Sequence, residues 1–302
     1  MVMGQLESMR IFITVVETGS ITRAAERLNL AKSAISKRLS ELEQQLGVKL
    51  LNRTTRTSSL TEAGQVYLNK CKLILDEVDD LHCHISSTNN KLNGVLKLAV
   101  PLTFGLKHLV PALDNFAKLH PDLKLDIDFS DKKIDLVEDG VDLAIRIGSL
   151  SNSTLRAKPL ATIHHVLCVS PDYLAKHGHI TTPSDLKSHK LLRYSQQPLS
   201  GVELIDNKNK TMTVPMESFC IANNGDFLKT MAVSGHGVLF TPKFIVWEEL
   251  ANGSLIPIMT DYRFNSIKAY AVYPETRYLP RKVRMLIDFL SEYFGNEPYW
   301  DK

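Results

Sequence analysis

Apolar positions at the start of the chain recur at helical spacing. Leu6, Met9, Ile13 and Val16 follow one another at three, four and three residues, which predicts an amphipathic helix over 6–17. The following "TGS" ends it: Gly19 suits a left-handed turn, and Ser20 is a good N-cap for the next helix, "ITRAAERL". Ala24 and Ala25 in that helix are small enough for a neighbour to pack closely. After the turn Leu28-Asn29-Leu30, a second stripe (Ile35, Leu39, Leu42 and Leu46) runs to a stop at Gly47. Two short helices around a tight turn predict a helix-turn-helix, with an ordinary three-helix bundle as the alternative. The rest of that second helix carries Lys32, Ser33, Ser36, Lys37 and Arg38, a density of donors that a bundle does not require.

The next segment, "KLLNRTTRTSSLTEAG", has Leu50 and Leu51 as anchors and then Arg53, Thr54, Thr55, Arg56 and Thr57, a β-prone loop rich in phosphate donors. It predicts a wing beside a recognition helix, and the cationic side of that helix is expected in the DNA major groove. Charge supports this placement. Residues 1–60 hold 9 Lys/Arg against 5 Asp/Glu, a balance of +4, within a chain whose total is +3. The excess positive charge is thus confined to the first fifth, as for a small nucleic-acid-binding module on a neutral body.

Beyond Thr61, a plausible N-cap, Tyr67, Cys71, Ile74, Val78, Leu81 and Ile85 are spaced 4, 3, 4, 3 and 4, a heptad seam that predicts a dimerising helix or one packed on its own domain. "HCH" at 82–84 is a poor metal motif, since successive helical residues point in different directions. "SSTNNKLNG" (86–94) reads as a linker. Strand patterns then alternate with helical ones: "VLKLAVP", helix 106–119, "KLDIDFS", a short helix around "IDLVEDG", "VDLAIRIG", "HHVLCVS", "ESFCIANN", "GVLFTP", "SIKAYAVYP" and helix 280–294. That order predicts a parallel α/β body.

The stretch 19–64 resembles the N-terminal domain of LysR-type transcriptional regulators. The match lies in Ala24-Ala25, Leu28, Ala34-Ile35-Ser36, Leu42-Glu43, Leu46-Gly47, Leu50-Leu51, Arg53, Arg56 and Leu60-Thr61-x-Ala63-Gly64. Ala31 departs from it, standing where the family usually has a Thr or Ser cap, and Lys32 stands where Gln or Pro is common. "DLAIRIG", "SPDYLAKHG" and "SGHGVLFTP" resemble the family's effector domain, which is similar to type 2 periplasmic binding proteins. The resemblance implies three parts: a winged helix-turn-helix over 1–60, a linker and dimerisation helix over 61–90, and a two-lobed effector-binding domain over 91–302. Lobe 1 is expected at about 94–163 and 265–302, and lobe 2 at about 164–264. It further implies pairing of two chains through the linker helix and of dimers into tetramers, with RNA polymerase as a possible further partner.

In a two-lobed cleft a small ligand meets strand ends and helix N-termini, where free amides favour anions. "PLTFG", "RIGS" and "NNGD" qualify, and Thr103, Phe104, Arg146, Ser149, Asn223 and Asn224 are the candidate effector contacts. Arg146 has a structural alternative in pairing with Asp142 or Glu138; turn chemistry or capping is the alternative for the others. The DNA-contact candidates are Ser20, Lys32, Ser33, Ser36, Lys37, Arg38, Arg53, Thr54 and Arg56. No cofactor, metal site or catalytic motif is expected. No run of apolar residues is long enough for a membrane span, and "MVMGQLESMR" lacks a signal-peptide pattern, so a cytoplasmic protein is expected. A redox-responsive regulator using Cys168 and Cys220 is the alternative function; a two-lobed solute receptor or enzyme leaves the basic front unexplained.

Overall fold

The computed structural model describes residues 4–53, 58–85, 92–131, 135–148, 155–197, 201–275, 279–295 and 297–302. They form two compact units. The front one comprises Met1–Leu92 with Thr276–Arg284, and the rear one Asn93–Glu275 with Met285–Lys302.

In the front unit, helices α1 (Gln5–Thr18), α2 (Ile21–Leu28) and α3 (Lys32–Leu46) are followed by the strands β1 (Leu51–Arg53) and β2 (Ser58–Leu60) and the long helix α4 (Glu62–Ile85). Ile11, Phe12, Val15, Ala24, Ala25, Ile35, Leu39, Leu42 and Leu50 make one core. The α2–α3 turn rests on Asn29, left-handed at φ 53, and on the Leu30 amide, which donates to the Ala25 carbonyl at 2.9 Å. β1 and β2 pair antiparallel, Leu51 opposite Leu60.

The rear unit contains two five-stranded sheets. Lobe 1 is built from β3 (Gly94–Val100), β4 (Leu123–Phe129), β5 (Leu143–Ile147), β6 (Leu155–Ile163) and β14 (Ile267–Pro274), in the order β4-β3-β5-β14-β6. Lobe 2 is built from β7 (His165–Val169), β8 (Lys190–Tyr194), β11 (Glu217–Ala222), β12 (Val238–Pro242) and β13 (Ile256–Pro257), in the order β11-β8-β12-β7-β13. A hairpin, β9 (Val202–Ile205) with β10 (Thr211–Val214), closes the lobe 2 core with Val202, Leu204 and Val214. The chain crosses between the two sheets twice, at Ile163–His165 and between β13 and β14.

β3 and β4 are parallel and are joined by a helix in three parts: α5 (Leu102–Phe104), a π-helical turn (Gly105–Leu109) and α6 (Val110–Leu119). This helix starts before the expected residue 106. Pro111 has no amide to return to the Lys107 carbonyl, and the wide turn accommodates the missing bond. Gly105 is required there: a Cβ would meet the Phe129 ring at 2.8 Å and Val100 at 2.9 Å. The expected helix around "IDLVEDG" is instead a set of turns held by Asp135, whose carboxylate accepts from the Val137 and Glu138 amides. In lobe 2, α7 (Pro171–His177), α8 (Gly225–Val233) and α9 (Lys243–Asn252) flank the sheet. In lobe 1, Leu286 and Leu290 of α10 (Arg281–Phe294) pack with Leu98, Val100 and Leu143 of the sheet.

Candidate nucleic-acid interface and interlobe cleft

α3 buries Ile35, Leu39 and Leu42 and leaves Lys32, Ser33 and Lys37 exposed, with Ser36 half-buried beside them. Ala31 supplies no side-chain cap, so the first amides of α3 face outward without a competing hydroxyl. Arg38 departs from the expectation: it forms a 2.6 Å ion pair with Glu7 of α1, because its position flanks the buried stripe on the α1 side. Ser20 sits at the N-cap of α2 but makes no capping bond with its side chain.

The wing is held by Glu43, Thr61 and Gly64. Glu43 is buried, 4% exposed, and its carboxylate accepts from the Leu50 amide (3.0 Å), the Leu51 amide (3.2 Å) and Lys49 Nζ (2.8 Å). Thr61 donates its hydroxyl to the Lys49 carbonyl (2.7 Å) and accepts from the Gly64 amide (2.9 Å), capping α4 as expected. Gly64 lies so close to the Leu50 carbonyl that a Cβ would stand 2.0 Å from that oxygen. These contacts join the end of α3, the first wing strand and the start of α4 into one piece. Thr54 and Arg56 lie outside the described residues, as does the Arg53 side chain.

The heptad seam divides. Tyr67 and Cys71 turn toward α1, where Cys71 packs with Met9 and Leu75, and the Tyr67 ring stands 5.4 Å from Phe12 in an edge contact. The stripe buried inside the unit is therefore Leu68, Cys71 and Leu75, displaced from the expected seam. Ile74 and Leu81 are exposed and Val78 is partly so; the Ile85 side chain is outside the described residues.

In the rear unit the two lobes meet along α5, the π turn, α8 and α9. Thr103, 8% exposed, donates to Asp226 Oδ2 at 2.8 Å across the lobes. Lys107 Nζ lies 3.2 Å from Asp226 Oδ1 and also donates to the Ile245 carbonyl at 3.3 Å. Lys229 stands 3.7 Å from Asp226 and 2.8 Å from Glu249. Burial works to raise the Asp226 pKa, but the Thr103 bond and the charges of Lys107 and Lys229 hold it below the ordinary carboxylate value. Burial would likewise lower Lys229, and Glu249 and Asp226 keep it raised.

Next along the same helix, His108 is buried. Its Nε2 lies 3.0 Å from the Phe244 carbonyl and its Nδ1 2.6 Å from the Tyr299 hydroxyl. A carbonyl only accepts, so Nε2 carries the proton and Nδ1 accepts from Tyr299. Burial lowers the His108 pKa to about 4, and the ring is neutral at physiological pH.

The expected effector contacts separate into groups. Thr103 faces lobe 2 through its bond to Asp226. Arg146 is half-buried on β5, its pKa lowered by burial and supported by the charge of Asp131. Asp131 accepts from the Leu102 amide at 3.3 Å; burial raises it and Arg146 draws it back. Tyr194, at the end of β8 in lobe 2, is raised by burial and by the same Asp131 charge. Asp142, one of the structural partners considered for Arg146, accepts from the Lys97 amide at 2.9 Å. Asn223 is exposed, whereas Asn224 caps α8, accepting from the Phe227 amide at 2.8 Å. Phe104 is not a cleft wall. It is fully buried among Phe244, Phe294 and Trp300, since its place on the helix turns it into the aromatic core around His108. Ser149 lies outside the described residues. Asp226, Lys107, Asp131 and Tyr194 escaped sequence reasoning. The quoted "NNGD" contained the first of them, but nothing local distinguishes a charge facing the other lobe from one facing water.

The two cysteines of the redox alternative are far apart. Cys168 is on β7 and Cys220 on β11, with β12 and β8 between them, about 14 Å at the usual strand spacing and beyond disulfide reach. The Cys168 thiol is fully buried and pushed up to about 12 by that burial, with Glu249 adding to it. Among the described residues no helix is long and apolar enough to cross a membrane, and no group of three or more His, Cys, Asp or Glu is arranged to hold a metal.

Two family models match the chain: "Bacterial regulatory helix-turn-helix protein, lysR family" over residues 6–65, and "LysR substrate binding domain" over 89–295. An uncharacterized HTH-type transcriptional regulator of Haemophilus influenzae is 37% identical over 282 residues, 93% of this chain and 98% of the relative. The HTH-type transcriptional activator AaeR of Escherichia coli K12 is 35% identical, over 97% of this chain and 94% of its own. Among solved structures, CrgA, a LysR-type transcriptional regulator from Neisseria meningitidis, aligns at a TM-score of 0.62 and 33% identity over 96% of this chain and 99% of its own. The full-length Vibrio cholerae virulence activator AphB aligns at 0.60 and 27% over the same shares.

Proposed function

The chain belongs to the LysR family of transcriptional regulators, and from that premise we propose that it binds specific operator DNA through α3 and the wing and is controlled by a small anionic effector held between the lobes of its rear unit. The observation that carries the DNA reading is the outward face of α3. Lys32, Ser33, Ser36 and Lys37 stand exposed or half-exposed on a helix whose opposite face is locked into the core. Lys32 and Lys37 neutralise phosphates or reach guanine edges, and Ser33 and Ser36 supply hydroxyls for bases or phosphate oxygens. Arg53 and Arg56 act from the wing on phosphates. Arg38, paired with Glu7, orients α3 on α1 and does not join the contact set.

The effector reading is supported by Thr103 and Lys107 meeting Asp226 of lobe 2, with Arg146 near Asp131, which accepts from the Leu102 amide at the start of the same helix. The Arg146 guanidinium offers a carboxylate two parallel donors. Ligand binding shifts DNA affinity only if the ligand prefers one arrangement of the lobes, and a coupling of ~1–3 kcal/mol is typical. The exposed Ile74 and Leu81, with the partly exposed Val78, are the face through which two chains pair, and effector-domain contacts assemble dimers into tetramers. The protein works in the cytoplasm with RNA polymerase as a partner at its promoters.

The test is a titration of fluorescent DNA from upstream of the protein's own gene, across a salt series. Losing one phosphate contact flattens the log–log salt slope by roughly 0.9. Arg53→Ala with Arg56→Ala is expected to weaken all sequences alike, and Lys32→Ala or Ser36→Ala to alter sequence preference. Unchanged affinity in the double variant contradicts the wing contacts. A screen of small anions in the same titration, with Thr103→Val and Arg146→Ala as controls, tests the effector reading: both variants are expected to lose the response.

A further inference from the structure

Two ammonium groups and one hydroxyl converge on the Asp226 carboxylate: Thr103 Oγ1 at 2.8 Å, Lys107 Nζ at 3.2 Å and Lys229 Nζ at 3.7 Å. Such a convergence is the donor set of an anion site, here filled by the chain itself. Asp226 also lies in the first turn of α8, where the helix dipole favours negative charge. Thr103 and Lys107 belong to lobe 1 and Asp226 to lobe 2, so this one carboxylate ties the lobes together. Its side chain is 39% exposed, which leaves it open to competition from solution, while Lys107 is only 23% exposed and is fixed by the Ile245 carbonyl. If Asp226 withdraws, Thr103 and Lys107 remain in place as an empty cradle, and Lys229 keeps Glu249 at 2.8 Å.

We propose that Asp226 is the internal anion of the cleft: it occupies the place on Thr103 and Lys107 that an anionic effector takes, so the effector binds by exchanging one carboxylate for another and releases a tie between the lobes as it enters. The inference rests on the cleft being the effector site. It adds a selectivity rule and a threshold. A neutral molecule of the same shape does not displace Asp226, and an anion binds more weakly than the bare cradle allows, because the competent state is reached only after the internal ion pair opens.

The experiment uses the full chain and inorganic phosphate as the probe, at constant ionic strength, with thermal unfolding followed by tryptophan fluorescence. Asp226→Asn keeps the shape and an acceptor for Thr103 but removes the competing charge. Its phosphate midpoint is expected about fivefold or more below that of the wild type, and adding Lys107→Met is expected to reverse the gain. Asp226→Ser carries the same expectation if the Asn variant does not fold. Equal midpoints for wild type and variant, or a gain that survives Lys107→Met, overturn the proposal. Operator binding measured in the same samples separates the two readings. A phosphate gain that leaves DNA affinity untouched supports the internal anion and removes the signalling role of the cleft.

Discussion

Two carboxylates hold the two units in opposite ways. Glu43 in the front unit is almost fully buried and binds two backbone amides of the wing strand, with Lys49 at its edge. Asp226 in the rear unit is partly exposed and binds only side chains, from the other lobe and from its own helix. Backbone amides have no other conformation to move to without unfolding the strand, whereas a lysine or threonine side chain can release one acceptor for another. The first carboxylate is a fixed part of a rigid recognition surface; the second is suited to exchange. Rigidity is what base readout needs and exchange is what signal reception needs, and the same functional group serves both according to what it is bound to.

The comparison is tested most severely at Gly64. Gly64→Ala would drive a methyl to 2.0 Å from the Leu50 carbonyl, and nothing at backbone level yields cheaply. The expected loss is ~3 kcal/mol or more, with DNA binding lost at temperatures where the rear unit is intact. Both tryptophans, Trp247 and Trp300, lie in the rear unit, so their fluorescence is expected to be unchanged while circular dichroism reports front-unit unfolding. A front unit that tolerates Gly64→Ala would break the picture of a fixed latch.

The rear unit should in turn respond to acid through His108. Its folded pKa of about 4 lies below the ordinary 6.5, so the unfolded chain binds the extra proton between those values. Stability is then full above pH 6.5 and falls as pH drops toward 4, by ~3 kcal/mol over the window. His108→Gln keeps a donor and an acceptor without titrating and is expected to flatten that fall in tryptophan-monitored denaturation. His165 and His189, also lowered by burial, leave a smaller residual slope. An unchanged pH profile in His108→Gln would remove the histidine from the lobe junction.

A smaller effect is expected from Glu43→Gln, whose remaining oxygen still accepts from both wing amides but without the charge, while its NH2 group faces the Lys49 ammonium. The cost is about 2 kcal/mol, read as a shifted denaturant midpoint, with weaker operator binding. Smallest is Arg38→Ala. Its pair with Glu7 is more than a third exposed on both sides, so stability should move by less than about 1 kcal/mol. The salt slope of DNA binding should stay unchanged, whereas Lys37→Ala flattens it. A reduced slope in Arg38→Ala would return that residue to the interface.

Much of this was legible from residue order alone. The stripe of Ile35, Leu39 and Leu42 marked α3 and its buried face, because a 3.6-residue period leaves one solution for packing. Thr61 was legible as a cap, and the alternation of strands with helices gave the α/β character of the rear unit, because those depend on neighbours within a few residues. The candidate site was read less completely. Thr103 was named for its place soon after a strand, and the structure puts it in α5 with its hydroxyl on Asp226. Phe104, one residue from Thr103, was assigned to the cleft although it fills the core, since sequence does not say how a helix beginning at Leu102 is rotated against Trp300 and Phe244. The heptad of α4 divided for a related reason: a seven-residue period is equally consistent with a partner chain and with α1, and Cys71 against Met9 is a choice made by the fold.

The sequence by itself determined the order of the front helices, the basic front, the family and which helix face is polar, all consequences of periodicity, charge and short motifs. Only the tertiary structure decided that Glu43 points inward at the wing amides, that Arg38 turns to Glu7, and that Asp226 reaches Thr103 from 123 residues away. Those pairings depend on the three-dimensional approach of distant segments, and a carboxylate's role follows from which donors arrive beside it rather than from its neighbours in the chain.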